Sequence, residues 1–513
     1  MTLYVLQHGL MLLHGLAACG LFLYGMNCYV MLFLHYRVRR KMLQHDAAVL
    51  QAWRTSAPQY PRVTVQLPLY NERYVIERLV EAVVCLRYPR AQLEIQILDD
   101  STDETTAIAM QLVERYRHLG FDITLQHRPH RHGYKAGALA EGLTRATGEF
   151  IAIFDADFVP SPDFLLHTLP FFQDPAIAMV QTRWGHLNRA YSCLTLAQAF
   201  GIDGHFWIEQ TARCGAGLFM NFNGSGGIWR RQAIDDAGGW QTDTLTEDLD
   251  LSYRAQLRGW RMQFVPYVVC PAELPVQMSG VKSQQHRWAK GSIQTAKKLL
   301  PRVLRADVPR FTKCQAILHL TNYLVHPLML CTALTTPWLL YATPVVFLHA
   351  PLLTTVGMAC ATVGPASLYL YAQRQLYPDW FHRLRSFPYL LIFGTGIALS
   401  NTKAILEALG KVQGTFVRTP KFRIEHPSDT WVEKRYHAAF PWLSLGEICL
   451  AVYSGYGVYL AVRQGVYLLI PFLLLYTLGF AAVAGLSLHE RFQMVRLHMP
   501  SRARTRVAAA RRR

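Results

Sequence analysis

Two carboxylates stand two residues apart at the end of an apolar run, in Phe150-Ile151-Ala152-Ile153-Phe154-Asp155-Ala156-Asp157-Phe158. Magnesium and manganese prefer oxygen ligands and usually bind through one or two carboxylates plus substrate phosphates. Asp155 and Asp157 therefore suit a divalent ion shared with a diphosphate, although an acidic loop after a core strand has the same residues. A third acid, Asp248, follows Glu247 in Thr246-Glu247-Asp248 at the start of an amphipathic helix. A carboxylate there, facing a metal-bound diphosphate, could act as general base toward a hydroxyl; a Thr-x-Asp cap explains the same positions. Gln284-Gln285-His286-Arg287-Trp288 places a planar cation suited to diphosphate beside an indole that can stack on a sugar ring. An Arg/Trp anchor at a membrane interface is the other reading of that stretch.

Four further stretches present polar groups in similar settings. Leu67-Pro68-Leu69-Tyr70-Asn71-Glu72 ends with an amide and a carboxylate that could read a base or ribose, or cap a helix. Leu98-Asp99-Asp100-Ser101-Thr102-Asp103 offers two acids as hydrogen-bond acceptors for a uracil or ribose, with capping by Ser101 or Asp103 equally open. Gly133-Tyr134-Lys135-Ala136-Gly137-Ala138 opens a helix whose backbone N–H groups and lysine suit phosphate. Asn221-Phe222-Asn223-Gly224-Ser225-Gly226-Gly227 is a small-residue loop that a sugar could approach closely.

The elements that must position these groups read as alternating strands and helices. Strands are expected at Val63 to Pro68, Leu93 to Leu98, Ile123 to Gln126, Phe150 to Phe154 and Ala178 to Thr182. Helices are expected at Val75 to Leu86, Thr105 to Leu119 and Gly137 to Thr147. Such alternation argues for a mostly parallel, doubly wound α/β sheet. Ligands in that architecture sit beyond the carboxyl ends of the strands, where Glu72, Asp99, Asp100, Asp155 and Asp157 all fall.

The rest of the chain is membrane-like. Of 513 residues, 51% are hydrophobic, and the formal net charge is +18. Residues 1–36 contain no Asp, Glu, Lys or Arg, and Arg37, Arg39, Arg40 and Lys41 follow at once. That charge order is the reverse of a secretory signal and reads as a spanning helix with its C-terminal end in the cytoplasm. A juxtamembrane linker is expected over 37–61 and a cytoplasmic domain over 62–300. Two spans are expected over 314–373, turning near Thr343-Pro344 or Ala350-Pro351, and two more over 438–488 around Arg463. Phe387 to Leu399 would cover only about 20 Å as a helix, short of a bilayer core of about 30 Å. Residues 387–410 thus read as an interfacial helix on the cytoplasmic face. Five spans then leave 411–437 and the basic tail 489–513, with its eight arginines between 491 and 513, on the cytoplasmic side. The ten cysteines include no Cys-x-x-Cys pair, which argues against a zinc site or disulfide framework. Lysine and arginine flank apolar segments, so the basic excess points to an anionic membrane surface rather than nucleic acid.

These motifs, in this order, resemble the processive family-2 glycosyltransferases of the cellulose-synthase superfamily. The resemblance is closest to the cellulose-synthase-like enzymes that make glucomannan and xyloglucan backbones, and it covers about Arg62 to Leu300. It returns at Phe416-Val417-Arg418-Thr419-Pro420-Lys421, which is similar to the family's Phe-x-x-Thr-x-Lys gating loop. The resemblance implies an α/β GT-A-like nucleotide-diphospho-sugar transferase domain joined to an α-helical membrane domain in the plasma (inner) membrane. It implies inverting transfer of a hexose from UDP-glucose or GDP-mannose, with Mg²⁺ or Mn²⁺, to a growing β-1,4-linked glycan that is extruded as it lengthens. Glu72, Asp100 and Asp99 would hold the nucleoside, Lys135 and Arg287 the diphosphate, Asp155 the donor and Asp157 the metal. Asp248, beside Glu247, would be the base. Asn223, Gly224, Ser225, Gln284 and Trp288 would frame the acceptor, and the loop carrying Phe416, Thr419 and Lys421 would close over the nucleotide. The acceptor loop reads Phe-Asn-Gly-Ser where a cysteine often precedes Gly-Ser in cellulose synthases, which leaves the polymer open. Ceramide-type glucosyltransferases resemble the chain in the acidic motifs and in Gln-x-x-Arg-Trp, so a glycolipid product is the alternative, with a lipid acceptor.

Overall fold

The computed structural model describes residues 2–56, 59–342, 351–410, 417–432, 434 and 442–498. Stretches of four to seven residues become β1 (Val63–Leu69), β2 (Leu93–Asp99) and β4 (Phe150–Ile153), every residue of which is buried. With β3 (Asp122–His127), β5 (Ile177–His186), β6 (Gly227–Arg230) and β7 (Arg261–Ala272) they form one seven-stranded sheet ordered β3-β2-β1-β4-β6-β5-β7. β1 pairs in parallel with β2 and β4, β2 with β3, and β5 with β7; β6 runs antiparallel between β4 and β5. Separate apolar clusters back the sheet, one around Val65, Leu67 and Ile95, the other around Leu98, Ile151 and Ile153. Burial on both sides is what makes β4 read as a continuous apolar run, whereas β1 and β2 bury polar side chains that bond one another, Thr64 to Glu94 and Gln66 to Gln96.

The expected strands and helices are present with ends moved by a few residues. β6 and β7 are additions. β6 has only four residues and follows directly on the glycine loop, so its pattern is too short to stand out. β7 contains Pro266 and Pro271, which argue against a central strand. It lies at the sheet edge, and a register shift between Thr182 and Arg183 of β5 absorbs the irregular middle.

Four described helices are long and apolar enough to cross a membrane: Gln7–Thr55, Asn322–Ala342, Leu443–Arg463 and Tyr467–Met494. The first is part of one continuous helix, Thr2–Thr55, so the linker expected over 37–61 is helical for most of its length. No Gly or Pro falls between Arg37 and Thr55 to stop it. Its final turns dock on the sheet domain through Val49 and Leu50, and Asp46 Oδ1 accepts from Gln263 Nε2 at 3.0 Å. The expected turns at 343–351 fall almost wholly outside the described residues. Helix Pro351–Leu376 follows and packs on the first helix, where a Cβ on Gly364 would stand 2.2 Å from the Gly25 carbonyl oxygen. In place of one interfacial helix over 387–410 there are two, Phe387–Gly396 and Ala398–Leu409, bent by 41° as a broken span or re-entrant loop would be. Gly396 lies against the Gly479 carbonyl, 2.2 Å from a would-be Cβ, so this pair is packed along the spanning helix.

Candidate active site

The carboxyl ends of β1, β2 and β4 open into one cleft. β1 runs into Tyr70 and Asn71, the latter left-handed at φ 57. Asn71 does not reach the cleft wall; its Oδ1 accepts from Thr102 N at 2.8 Å and ties the β1 loop to the β2 loop. The turn delivers Glu72, whose two oxygens take Arg418 Nε at 2.8 Å and Nη2 at 2.7 Å. Burial raises the Glu72 carboxyl pKa, and the Arg418 guanidinium offsets only part of that shift.

The two acids after β2 do different things. Asp100 lines the cleft and is held by Arg128, whose Nε and Nη2 each donate at 2.6 Å. Arg128 Nη1 and Nη2 also donate to the carbonyls of His132 and Tyr134, which fixes the loop before Lys135. Asp99 is fully buried behind the cleft, bonded by Ser101 N, Thr106 Oγ1 and the His127 ring. The nucleoside contact expected of Asp99 is therefore not made directly from this position: its side chain shapes the loop that carries Asp100. Arg131, which no motif singled out, lies 3.5 Å over the Tyr70 ring and lines the same wall.

Gly133 (φ 68) and Tyr134 (φ 53) turn the chain sharply before Lys135, and a Cβ on Gly137 would stand 2.1 Å from the His132 carbonyl oxygen. The turn brings Lys135 Nζ to 2.5 Å from Asp155 Oδ1 and 2.8 Å from the Gly224 carbonyl, with Glu247 at 3.9 Å. Burial opposes the charge on Lys135, but Asp155, Glu247 and Asp248 outweigh it and raise the ammonium pKa. Two residues beyond Asp155, Asp157 Oδ2 accepts from Lys421 Nζ at 2.7 Å.

Asn223 and Gly224 line the cleft, whereas Ser225 stands behind it as a brace. The Ser225 hydroxyl accepts from Asp155 N at 2.8 Å, and its carbonyl accepts from Gln181 Nε2 and Trp184 Nε1 at 3.1 Å each. Gly224 (φ 84) is close enough to Asp248 that a Cβ there would stand 3.0 Å from Oδ2. Asp248 and Glu247 open helix Glu247–Gln256, whose Thr246 makes no side-chain cap bond. Burial, then the Glu247 charge, push the Asp248 carboxyl up to about 7 against the pull of Lys135.

Gln284, Arg287 and Trp288 share one face of helix Met278–Arg305, at spacings of three and four residues, and all line the cleft. Gly291 lets that helix approach the Asp248 turn: a Cβ there would stand 2.5 Å from Thr246 Cγ2. Thr419 and Lys421 line the cleft from the C-terminal segment; Phe416 lies outside the described residues. The segment is anchored by residues far away in sequence. Lys421 Nζ also donates to the Glu273 carbonyl at 2.7 Å, Phe422 N to Glu273 Oε1 at 2.8 Å, and Arg78 Nη1 to Glu425 at 2.8 Å.

One cleft thus joins acids, cations, an indole and a segment from far along the chain. Residues 61–291 match the family model described as glycosyltransferase like family 2. These residues are a family-2 glycosyltransferase domain. Over 253 residues the chain is 39% identical to glucomannan 4-beta-mannosyltransferase 7 of Arabidopsis thaliana, covering 48% of this chain and 46% of that one. Over 251 residues it is 41% identical to glucomannan 4-beta-mannosyltransferase 1 of Oryza sativa subsp. japonica, covering 48% of each. The chain therefore spans about half the length of the curated relatives it matches. Its fold is similar to that of a mannosyltransferase from Pyrobaculum calidifontis solved with GDP-Man and Mn2+ (TM-score 0.50, 22% identity, 78% of this chain and 100% of that one).

Within the family-2 domain, the acids at the end of β4 fit a hard divalent ion. Asp155 and Asp157 supply only carboxylate oxygens. Among the described residues no three His, Cys, Asp or Glu side chains are grouped to hold an ion unaided. That donor set matches Mg²⁺ or Mn²⁺ completed by substrate phosphates, not a protein-only cage.

Proposed function

We propose that the chain is a membrane-embedded inverting hexosyltransferase that elongates a β-linked polysaccharide, of β-1,4-mannan or glucan type, from a nucleotide sugar. The observation that carries this reading is the single cleft in which Asp155, Asp157, Lys135, Asp248 and Trp288 meet. GDP-mannose is the favoured donor, because curated relatives at 39% and 41% identity are named glucomannan mannosyltransferases. In this reading the β1–β3 half holds the nucleoside between Glu72, Asp100 and Arg131. Lys135 and Arg287 offset the diphosphate charge, and Asp155 and Asp157 would hold Mg²⁺ or Mn²⁺, which when bound offsets charge on the leaving group. Asp248 takes the proton of the acceptor hydroxyl, and Asn223, Gly224, Gln284 and Trp288 orient the acceptor end. Arg418 and Lys421 close the loop over the nucleotide. The test is to give the full chain labelled GDP-mannose or UDP-glucose and to size the product. A ladder of lengthening β-linked chains is expected; one sugar on a lipid would instead favour the glycolipid reading, and no transfer would remove both.

The membrane reading places the catalytic domain and the loop at 417–432 on the cytoplasmic side, with the turn after Arg463 outside. Ser428 is exposed in that loop and Arg463 ends its helix. Cysteine at Ser428 (Ser428→Cys) should add labelling by an impermeant maleimide from the cytoplasmic side, and Arg463→Cys from the opposite side. The parent's own ten cysteines give the background. Labelling of both new cysteines from one side would overturn the topology.

A further inference from the structure

The β5 wall of the cleft carries a histidine–aspartate pair outside every motif discussed so far. His186 ends β5 and lines the cleft, although its side chain is only 3% exposed. Its Nε2 lies 3.1 Å from Asp203 Oδ1. Asp203 is fully buried and also accepts from Gln373 Nε2 at 2.8 Å and from the Tyr377 hydroxyl at 3.2 Å. A carboxylate that collects three donors requires Nε2 of His186 to carry a proton, which leaves Nδ1 as the ring nitrogen that can accept a hydrogen bond. Nδ1 has no hydrogen-bond partner among the described residues, and it is absent from their sealed, unbonded polar atoms. Nδ1 thus keeps access to solvent, and the cleft is what His186 lines.

Position says which ligand this nitrogen meets. In the sheet, β5 lies beyond β4 and β6 from the β1–β3 half that carries Glu72, Asp100 and Arg131. The β5 wall instead adjoins the loop of Asn223 and Gly224, through the Trp184 indole N–H on the Ser225 carbonyl at 3.1 Å. Trp184 and His186 are two apart on one strand and face the same side, so an indole and a ring acceptor stand together there. Aromatic faces with a few fixed polar groups suit the apolar faces and hydroxyls of a sugar.

We infer that His186 accepts a hydrogen bond from a hydroxyl of the acceptor glycan, with Asp203 as the positioning residue that sets its tautomer. The inference rests on the polysaccharide-elongating reading above. Helix Pro351–Leu376 takes part through Gln373, so an apolar helix of the membrane domain fixes a group in the sugar site.

The test measures equilibrium binding of mannohexaose and cellohexaose to the full chain, and in parallel turnover with GDP-mannose. His186→Ala removes the acceptor and the Asp203 contact together. His186→Asn also loses the Asp203 contact but keeps an amide oxygen near the Nδ1 position. The Ala variant should bind the preferred oligosaccharide about five- to tenfold more weakly, the worth of one hydrogen bond. The Asn variant should recover most of that loss, and donor affinity should be unchanged in both. Equal binding by the Ala variant and the parent chain, or equal weakening in Ala and Asn, would overturn the assignment. Failure of the parent to bind either oligosaccharide would overturn it too. Binding that depends on His186 without any transfer from a nucleotide sugar would leave the assignment standing and remove the proposed activity.

Discussion

Asp248→Asn should lower turnover by on the order of 10²–10⁴-fold, the usual worth of a general base, while nucleotide-sugar affinity stays near that of the parent. The amide is nearly isosteric, and Asp248 faces Gly224 in the loop proposed to orient the acceptor. The same group dictates the pH profile. Its carboxyl is pushed up to about 7, so it is protonated and unable to act below that pH and charged above it. Parent turnover should therefore climb as pH rises through about 7, and the Asn variant should lack that limb. If Asp248 served only to start its helix, asparagine would do as well and turnover would hold, with about 1 kcal/mol lost only on Asp248→Ala. Donor affinity and turnover measured on one Asp248→Asn preparation separate these outcomes.

Excess chelator should abolish transfer, and added Mn²⁺ or Mg²⁺ should restore it. Asp157→Ala should abolish transfer irrecoverably while the chain remains folded in membranes. Asp157 is the acid that Lys421 reaches at 2.7 Å, so its loss also removes one contact of the segment at 417–425. Arg418 on Glu72, the Glu273 contacts of Lys421 and Phe422, and Arg78 on Glu425 remain in that variant and hold the segment. Protease sensitivity at 417–432 should thus rise modestly in Asp157→Ala and further when Arg418→Ala is added. Full activity in chelator would remove the metal from the proposal.

What could be read from sequence was set by how local the determinants are. β4 is apolar along its whole length, and Asp155 and Asp157 follow it at once, so strand and chemistry come from neighbouring residues. The mixed character of the sheet was not legible, because β6 is four residues long and β7 carries prolines that only an edge position tolerates. Gln284, Arg287 and Trp288 were legible as a set, since helical spacing alone puts them on one face. Asp99 and Asp100 were not separable: alternation at a strand end sends one inward and the next outward, and sequence does not say which. Arg78 and Glu273 escaped notice because their partners in the closing segment lie far along the chain, where no short-range pattern connects them. The bend in 387–409 was hidden for a related reason. Beside it Gly396 meets Gly479, a contact between two residues that look like ordinary membrane glycines.

The docking of the unbroken helix Thr2–Thr55 on the sheet, through Val49, Leu50 and Asp46, makes the sheet domain a fixed fitting rather than a swinging one. An α-helix is clocked at about 100° per residue. In the proposed membrane-embedded function, the path along that helix to the Asp46–Gln263 contact would set both the height of the cleft and the compass direction in which it opens. The stroke that advances a lengthening product would then come from parts small enough to move while the docked sheet stays in place. The tethered segment that carries Arg418 and Lys421 is of that size.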